Sequence, residues 1–154
     1  MRKTLLFFSI LFFFCITITA NAQPVSNNFG SKTVVFKPNV KSPLNDSEKR
    51  KLVEVYVETL HDNVLDNPQR LKSIKNILRN RVEVLNILDY PKDYRFLSQV
   101  PLFDKYNSSL EREIFRKSEF NPLKYSFDFY AKQVQVFRVD NTDYYIVIKS
   151  QYQN

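Results

Sequence analysis

The sequence predicts an α+β domain: two N-terminal helices packed against a three- to five-stranded antiparallel sheet with a C-terminal β-meander. Two observations carry this. Apolar residues recur at helical spacing behind two capping signals in residues 45–88, and they alternate with polar ones in residues 125–149. A third observation bounds the answer: one glycine and one cysteine in 154 residues leave no material for glycine loops or a disulfide framework.

The chain opens with Arg2 and Lys3, then an apolar run from Leu5 to Thr19, then Ala20-Asn21-Ala22. A basic start, a short apolar stretch and small residues are the pattern of a secretory signal peptide over residues 1–22, cut between Ala22 and Gln23. About 15 residues is too short for the roughly 20 that a spanning helix needs. Cys15 lies inside the run behind Phe12, Phe13 and Phe14, which does not fit a lipoprotein signal. The mature chain is therefore expected to be exported, periplasmic or extracellular, and free of cysteine. Residues 23–44 carry Lys32, Lys37 and Lys41 and no acid, and read as a mobile basic arm in which Thr33–Phe36 could add a strand.

Residues 45–154 read as one small domain. Asn45-Asp46-Ser47-Glu48 is a capping box, and Leu52, Val53, Tyr56, Val57, Leu60 and Val64 follow as a helical stripe ending near Asp66. Asn67-Pro68 restarts the chain as a cap and a first helical residue, with Leu71, Ile74, Ile77 and Leu78 on the second stripe. Arg81–Ile87 alternates and is read as a strand, although extending the helix to Leu88 fits nearly as well. Residues 89–122 are rich in chain breakers, and Ser108 with Glu111 suggests a short helix over Leu110–Lys117. Its apolar residues, Phe96, Leu97 and Phe120 among them, indicate packing on the core. The meander is read from Tyr125, Phe127 and Phe129, from Val134–Val139, and from Tyr144–Lys149, with a turn at Asp140-Asn141-Thr142-Asp143. Asn141-Thr142 at the turn would set Phe137 against Ile146. Tyr144–Ile148 is apolar on both faces and needs a neighbour on each side, supplied by Thr33–Phe36, by Val82–Ile87 or by another chain.

Composition excludes more chemistry than it suggests. A single glycine removes the P-loop, the dinucleotide fingerprint and the nucleophile elbow. A single histidine, His61, removes a histidine-rich zinc site. No catalytic, cofactor-binding or metal-binding residue is expected, and no cofactor. The net charge of +7 falls to +5 once Arg2 and Lys3 are removed with the signal peptide, a modest surplus that makes nucleic acid an unlikely partner.

Three constellations remain. Glu54, Glu58, His61 and Asp62 gather on the polar side of the first helix, where a solvated face is the expected reading and an acid/base pair the sharper one. Lys72, Lys75 and Arg79 share one face of the second helix, flanked by Arg70 and Arg81, with no acid between Asp66 and Glu83. That face is the candidate surface for an anionic partner, an envelope component or an acidic protein. Tyr90, Tyr94 and Tyr106 stand beside Lys92, Arg95 and Lys105 and could stack on sugars or partner side chains. Together these features suggest a non-enzymatic binding or interaction module of the cell envelope. The alternative is a small hydrolase acting on an envelope polymer through Glu58 or Asp62.

Overall fold

The structure is a computed structural model that describes residues 34, 36–88 and 93–152. The expected signal peptide, its cleavage point at Ala22 and Gln23, the arm as far as Thr33, and Tyr90 and Lys92 lie outside the described residues. The architecture is α+β, with two main helices and a three-stranded antiparallel sheet among the described residues.

Helix α1 spans Asp46–Tyr56 and starts on the expected capping box. The Asn45 side chain accepts the Glu48 amide at 2.8 Å, and Glu48 accepts the Asn45 amide at 3.0 Å. Its buried face is Glu48, Leu52, Val55 and Tyr56, so Leu52 and Tyr56 of the expected stripe reach the core while Val53 and Val57 do not. Val53 is 53% exposed and Val57 42%. The rotation has a polar cause: Glu48 is drawn inward by an ion pair, which brings Val55 to the core and turns Val53 outward.

The helix stops at Val57, whose φ of 47° and ψ of −125° interrupt the α-helix about ten residues before the expected end. A 3-10 turn at Val57–Thr59 and a wide turn at His61–Leu65 carry the chain on, and Val64 reaches the core there. Helix α2 spans Pro68–Asn76, with the Asn67 side chain accepting the Arg70 amide at 3.0 Å. Ile74 and Ile77 are buried on the expected stripe, with Leu71 and Leu78 packed beside them.

A wide turn over Ile77–Arg81 delivers the chain into β1, Val82–Asn86. Strand β2 is Gln135–Arg138 and β3 is Tyr144–Ile148. The order is β1-β3-β2, so the last strand is central, as its two apolar faces require. Val84 pairs with Ile146 on one side of β3 and Phe137 with Ile146 on the other. The β2–β3 turn places Asn141 at φ 54°, a conformation asparagine tolerates.

Two expectations fail here. The sheet is not a C-terminal meander, because Tyr125–Phe129 is no strand beyond one bridge between Leu102 and Tyr125. Phe127 donates to Tyr125 and Phe129 to Phe127, at 2.8 and 3.0 Å. Successive tight turns thus satisfy the backbone locally while keeping the alternation that buries Tyr125 and Phe127 and exposes Ser126 and Asp128. Nor is there a helix over Leu110–Lys117. Tertiary bonds outweigh the local signal: Arg112 donates to the carbonyls of Leu97 and Val100, and Glu113 meets Lys124 at 2.8 Å. Ile114 is left 88% exposed.

Apolar packing forms two clusters. One lies against the sheet, built from Phe120, Tyr125, Phe127, Phe137, Ile146 and Ile148 with their neighbours. The other lies between the helices, around Leu52, Val55, Val64, Ile74, Ile77 and Leu123. Val82 and Phe129 touch both. Arg81 joins the two halves: it is buried, its side chain donates to the Lys149 carbonyl at 2.7 Å, and Lys149 donates back to its carbonyl at 2.8 Å. Among the described residues no helix is long and apolar enough to cross a membrane.

Candidate functional site

Lys72, Lys75 and Arg79 do share one face of α2 and its continuation, and residues 36–44 lie across that face. Arg79 forms a two-pronged pair with Glu48, at 2.6 and 2.7 Å, on side chains only 13% and 9% exposed. It also donates to the carbonyls of Asn39, Ser42 and Pro43. Lys75 is buried and donates to the Ser42 carbonyl at 2.8 Å. Lys72 is exposed, its ammonium 4.2 Å from the centre of the Phe36 ring. The Arg79 hydrogen bonds hold the Glu48 carboxyl below its ordinary range, against the opposing effect of burial. The charges of Lys75 and Arg79 are thus engaged within the molecule.

The acidic set is divided. Glu58, His61 and Asp62 stand exposed on the turns after α1. Glu54 instead faces Lys124, at 2.6 Å, and its second oxygen accepts from Asn121 at 2.8 Å. Lys124 is buried and also meets Glu113. Burial works against its charge, but the two carboxylates hold its pKa above the ordinary lysine value. Asn121 bonds the Lys51 carbonyl as well, at 2.9 Å, and so ties residues 121–124 to α1. A carboxylate pair bridged by a lysine is a structural clamp. Both carboxylates are engaged by its ammonium. Among the described residues no group of three or more His, Cys, Asp or Glu side chains could hold a metal ion.

The third constellation leads to a pocket. Of its tyrosines, Tyr94 stacks edge-on against Tyr145 at 6.2 Å, over the outer face of the sheet. Tyr106 stacks on Tyr56 with ring centres 5.1 Å apart and meets Phe103 edge-on at 5.7 Å. The Arg70 guanidinium, from the first turn of α2, lies 5.4 Å from the Tyr56 ring centre and 5.5 Å from that of Tyr106. Its Nη2 donates to the Tyr106 hydroxyl at 3.1 Å. These three separations form a nearly equilateral triangle, so both rings lie to one side of the guanidinium.

Arg70, Tyr56 and Phe103 line a cavity of about 230 Å³ between α2 and residues 123–130. Ile74, Ile77, Leu123, Phe127 and Phe129 complete its apolar wall, and the exposed Tyr130 stands at its rim. Among the described residues no carboxylate lies within ion-pair distance of Arg70. Burial opposes the Arg70 charge, and hydrogen bonds with Tyr106 and Tyr56 outweigh it. The same Arg70 bond holds the Tyr106 phenol below its ordinary pKa, helped by Lys105, whose ammonium is 5.2 Å from the ring centre. A fixed cation at an aromatic cavity can receive an anionic group on an apolar body.

Sequence reasoning singled out Tyr106 and Lys105 and noted Arg70 only as a flank of the basic face. The missed signal was that Arg70 is on the first turn of α2, on the side of the helix away from Lys75 and Arg79, with no acid on its own helix. Comparison with family models, with curated proteins and with solved structures gives no match for this chain.

Proposed function

We propose that the protein is an exported, non-enzymatic binding module of the cell envelope, and that its binding site is the aromatic cavity lined by Arg70. One observation carries the reading: a half-buried arginine with no carboxylate partner among the described residues lines a cavity of about 230 Å³ whose other walls are mostly aromatic and aliphatic. A cation at the edge of an apolar cavity is screened less than one in open water, so a ligand that brings the opposite charge gains more from it there. Export rests on the residues around Ala20-Asn21-Ala22. The earlier candidate surface loses two of its three cations to internal bonds, which moves the anionic-partner reading from Lys75 and Arg79 to Arg70.

The hydrolase alternative needs Glu58 or Asp62 in a cleft, and both are exposed. The pocket reading is tested by ligand-observed NMR with benzyl alcohol and small phenyl acids on the mature chain. Binding should disappear in Ser126→Trp, which fills the cavity from an exposed lining position. Failure of every probe to bind the native protein would overturn the reading. Intact mass of the exported product tests the other half, with a mature form beginning at Gln23 expected.

A further inference from the structure

We infer that the Arg70 cavity selects a small carboxylic acid, with its carboxylate on the guanidinium and a body of about one ring against Ile77, Phe127 and Phe129. The inference rests on the pocket reading above and names the ligand class that the same residues would choose.

The first argument is the geometry of the cation. Tyr56 and Tyr106 occupy one side of the guanidinium and are themselves in contact, so a ligand must approach from the other side or along the edge. A guanidinium presents five N–H groups in a plane, and the Tyr106 hydroxyl takes one of them. A planar carboxylate matches the remaining edge with two parallel hydrogen bonds. The tyrosine bonds also fix the guanidinium before any ligand arrives, which lowers the ordering cost of binding.

The second argument is charge. Residues 67–82 hold no acid, and Lys105 adds a second positive group beside Tyr106. A cationic ligand would meet Arg70 instead of an empty aromatic cage, so the tyrosines here do not form an ammonium site. A phosphate dianion would enter with one arginine to compensate two charges, and desolvating the second charge has no partner in the lining.

The third argument is size. An apolar cavity of about 150 Å³ can hold benzene, so about 230 Å³ is room for a ring and a short chain. A long acyl chain would leave most of its length outside.

The test is a panel of three probes of one shape: 3-phenylpropionate, 3-phenylpropanamide and 3-phenylpropylamine. Affinity is read by calorimetry and by NMR shifts of Phe127 and Phe129. The carboxylate should bind at least tenfold more tightly than the amide, and the amine should bind weakest. Arg70→Gln should bring carboxylate and amide within about twofold of each other, with native Phe127 and Phe129 resonances in the free variant reporting an intact cavity. Equal native affinity for carboxylate and amide would overturn the carboxylate inference and leave the pocket reading standing. Should none of the three bind, the pocket reading itself fails and this inference with it. A preference that survives Arg70→Gln would place the anion elsewhere and overturn the assignment to Arg70.

Discussion

The helical half and the sheet half of this molecule are held together by different physics. Around the sheet, Phe127, Phe137, Ile146 and Ile148 pack in an aromatic and aliphatic core, with ring pairs such as Phe127–Phe137 at 4.8 Å. Around the helices, Glu48, Lys75, Asn76, Asn121 and Lys124 are buried as well. Lys75 ties α2 to residues 36–44, Asn121 and Lys124 tie residues 121–124 to α1, and Glu48 ties α1 to the turn after α2. Among the described residues no buried side-chain nitrogen or oxygen lacks a hydrogen-bond partner. Irregular chain on the helical side is therefore pinned mainly by buried charge, whereas on the sheet side apolar burial dominates and charged bonds such as those of Arg112 and Asp140 assist. The consequence is that the halves should respond differently to mutation, acid and salt.

The largest effect should come from Arg79→Gln. It leaves Glu48 buried without its cation, and breaking a buried pair in this way costs about 3–5 kcal/mol. It also releases the carbonyls of Asn39, Ser42 and Pro43, so residues 36–44 should become protease-sensitive before the sheet unfolds. Urea denaturation and timed proteolysis measure the two effects. If Arg79→Gln loses less than about 1 kcal/mol, the clamp is not what holds this half.

Next is Ile146→Ala, the counterpart in the sheet. Ile146 is fully buried at the middle of the central strand, and truncating such a residue costs about 2–5 kcal/mol. Added salt should leave that loss unchanged. Native-state hydrogen exchange should be slowest over Tyr145–Ile148, because β3 is paired on both sides. Fast exchange there would contradict a central strand.

A smaller effect is the response to acid. The folded pKa of Glu48 lies below the ordinary 4.5, chiefly through its Arg79 hydrogen bonds. A depressed carboxylate adds stability that is fully present above the ordinary value and is lost as pH falls through the folded one. Stability should thus be level from neutral pH to about 5 and decline below it. Asp140, bonded by the Ser98 amide and hydroxyl against the effect of its own burial, adds a similar contribution from the sheet half. Glu48→Gln should flatten the decline, and the midpoint of urea unfolding at pH 7 and pH 3 decides it. An unchanged slope would assign the acid sensitivity to the other lowered carboxylates, Asp140 and Glu113.

These differences explain what was legible in the sequence. The capping box, the restart at Asn67-Pro68, the Ile74/Ile77 stripe, strand β1 and the Phe137–Ile146 register follow from local pattern, and all are present. The edge of the α1 face at Val53 and Val57 was misread because Glu48 counts as polar in any periodicity, yet it is buried by a partner 31 residues away. The Leu110–Lys117 helix failed for the same reason, with Arg112 and Glu113 bonded across the fold. Tyr125–Phe129 shows the converse: a period of two records burial, and burial does not require a ladder. The site was half legible. Tyr106 beside Lys105 drew attention, but nothing local says that Tyr56 and Arg70 arrive at the same place.

The smallest effect separates the halves at the backbone. Each half has one described non-glycine residue at positive φ: Val57 after α1 and Asn141 in the β2–β3 turn. Asparagine visits that region at little cost, so Asn141→Gly should change stability by only a few tenths of a kcal/mol. Val57 is β-branched, and its φ of 47° with ψ of −125° lies outside the small left-handed well, where such conformations cost about 1–3 kcal/mol. Its side chain is largely exposed, so deleting it removes little packing. Glycine at this position relieves the strain but adds unfolded-state entropy of roughly 0.5–1 kcal/mol. The net expectation for Val57→Gly is a gain of about 1 kcal/mol or less, read as a higher urea midpoint with unchanged slope. Val53→Gly is the control, since Val53 is equally exposed but helical, and there glycine should cost a few tenths of a kcal/mol to about 0.5. If Val57→Gly loses as much as Val53→Gly, the break after Tyr56 is not strained. The interruption of α1 would then be an ordinary turn, with Thr59 bonding the Tyr56 carbonyl at 2.7 Å as its stabilising contact.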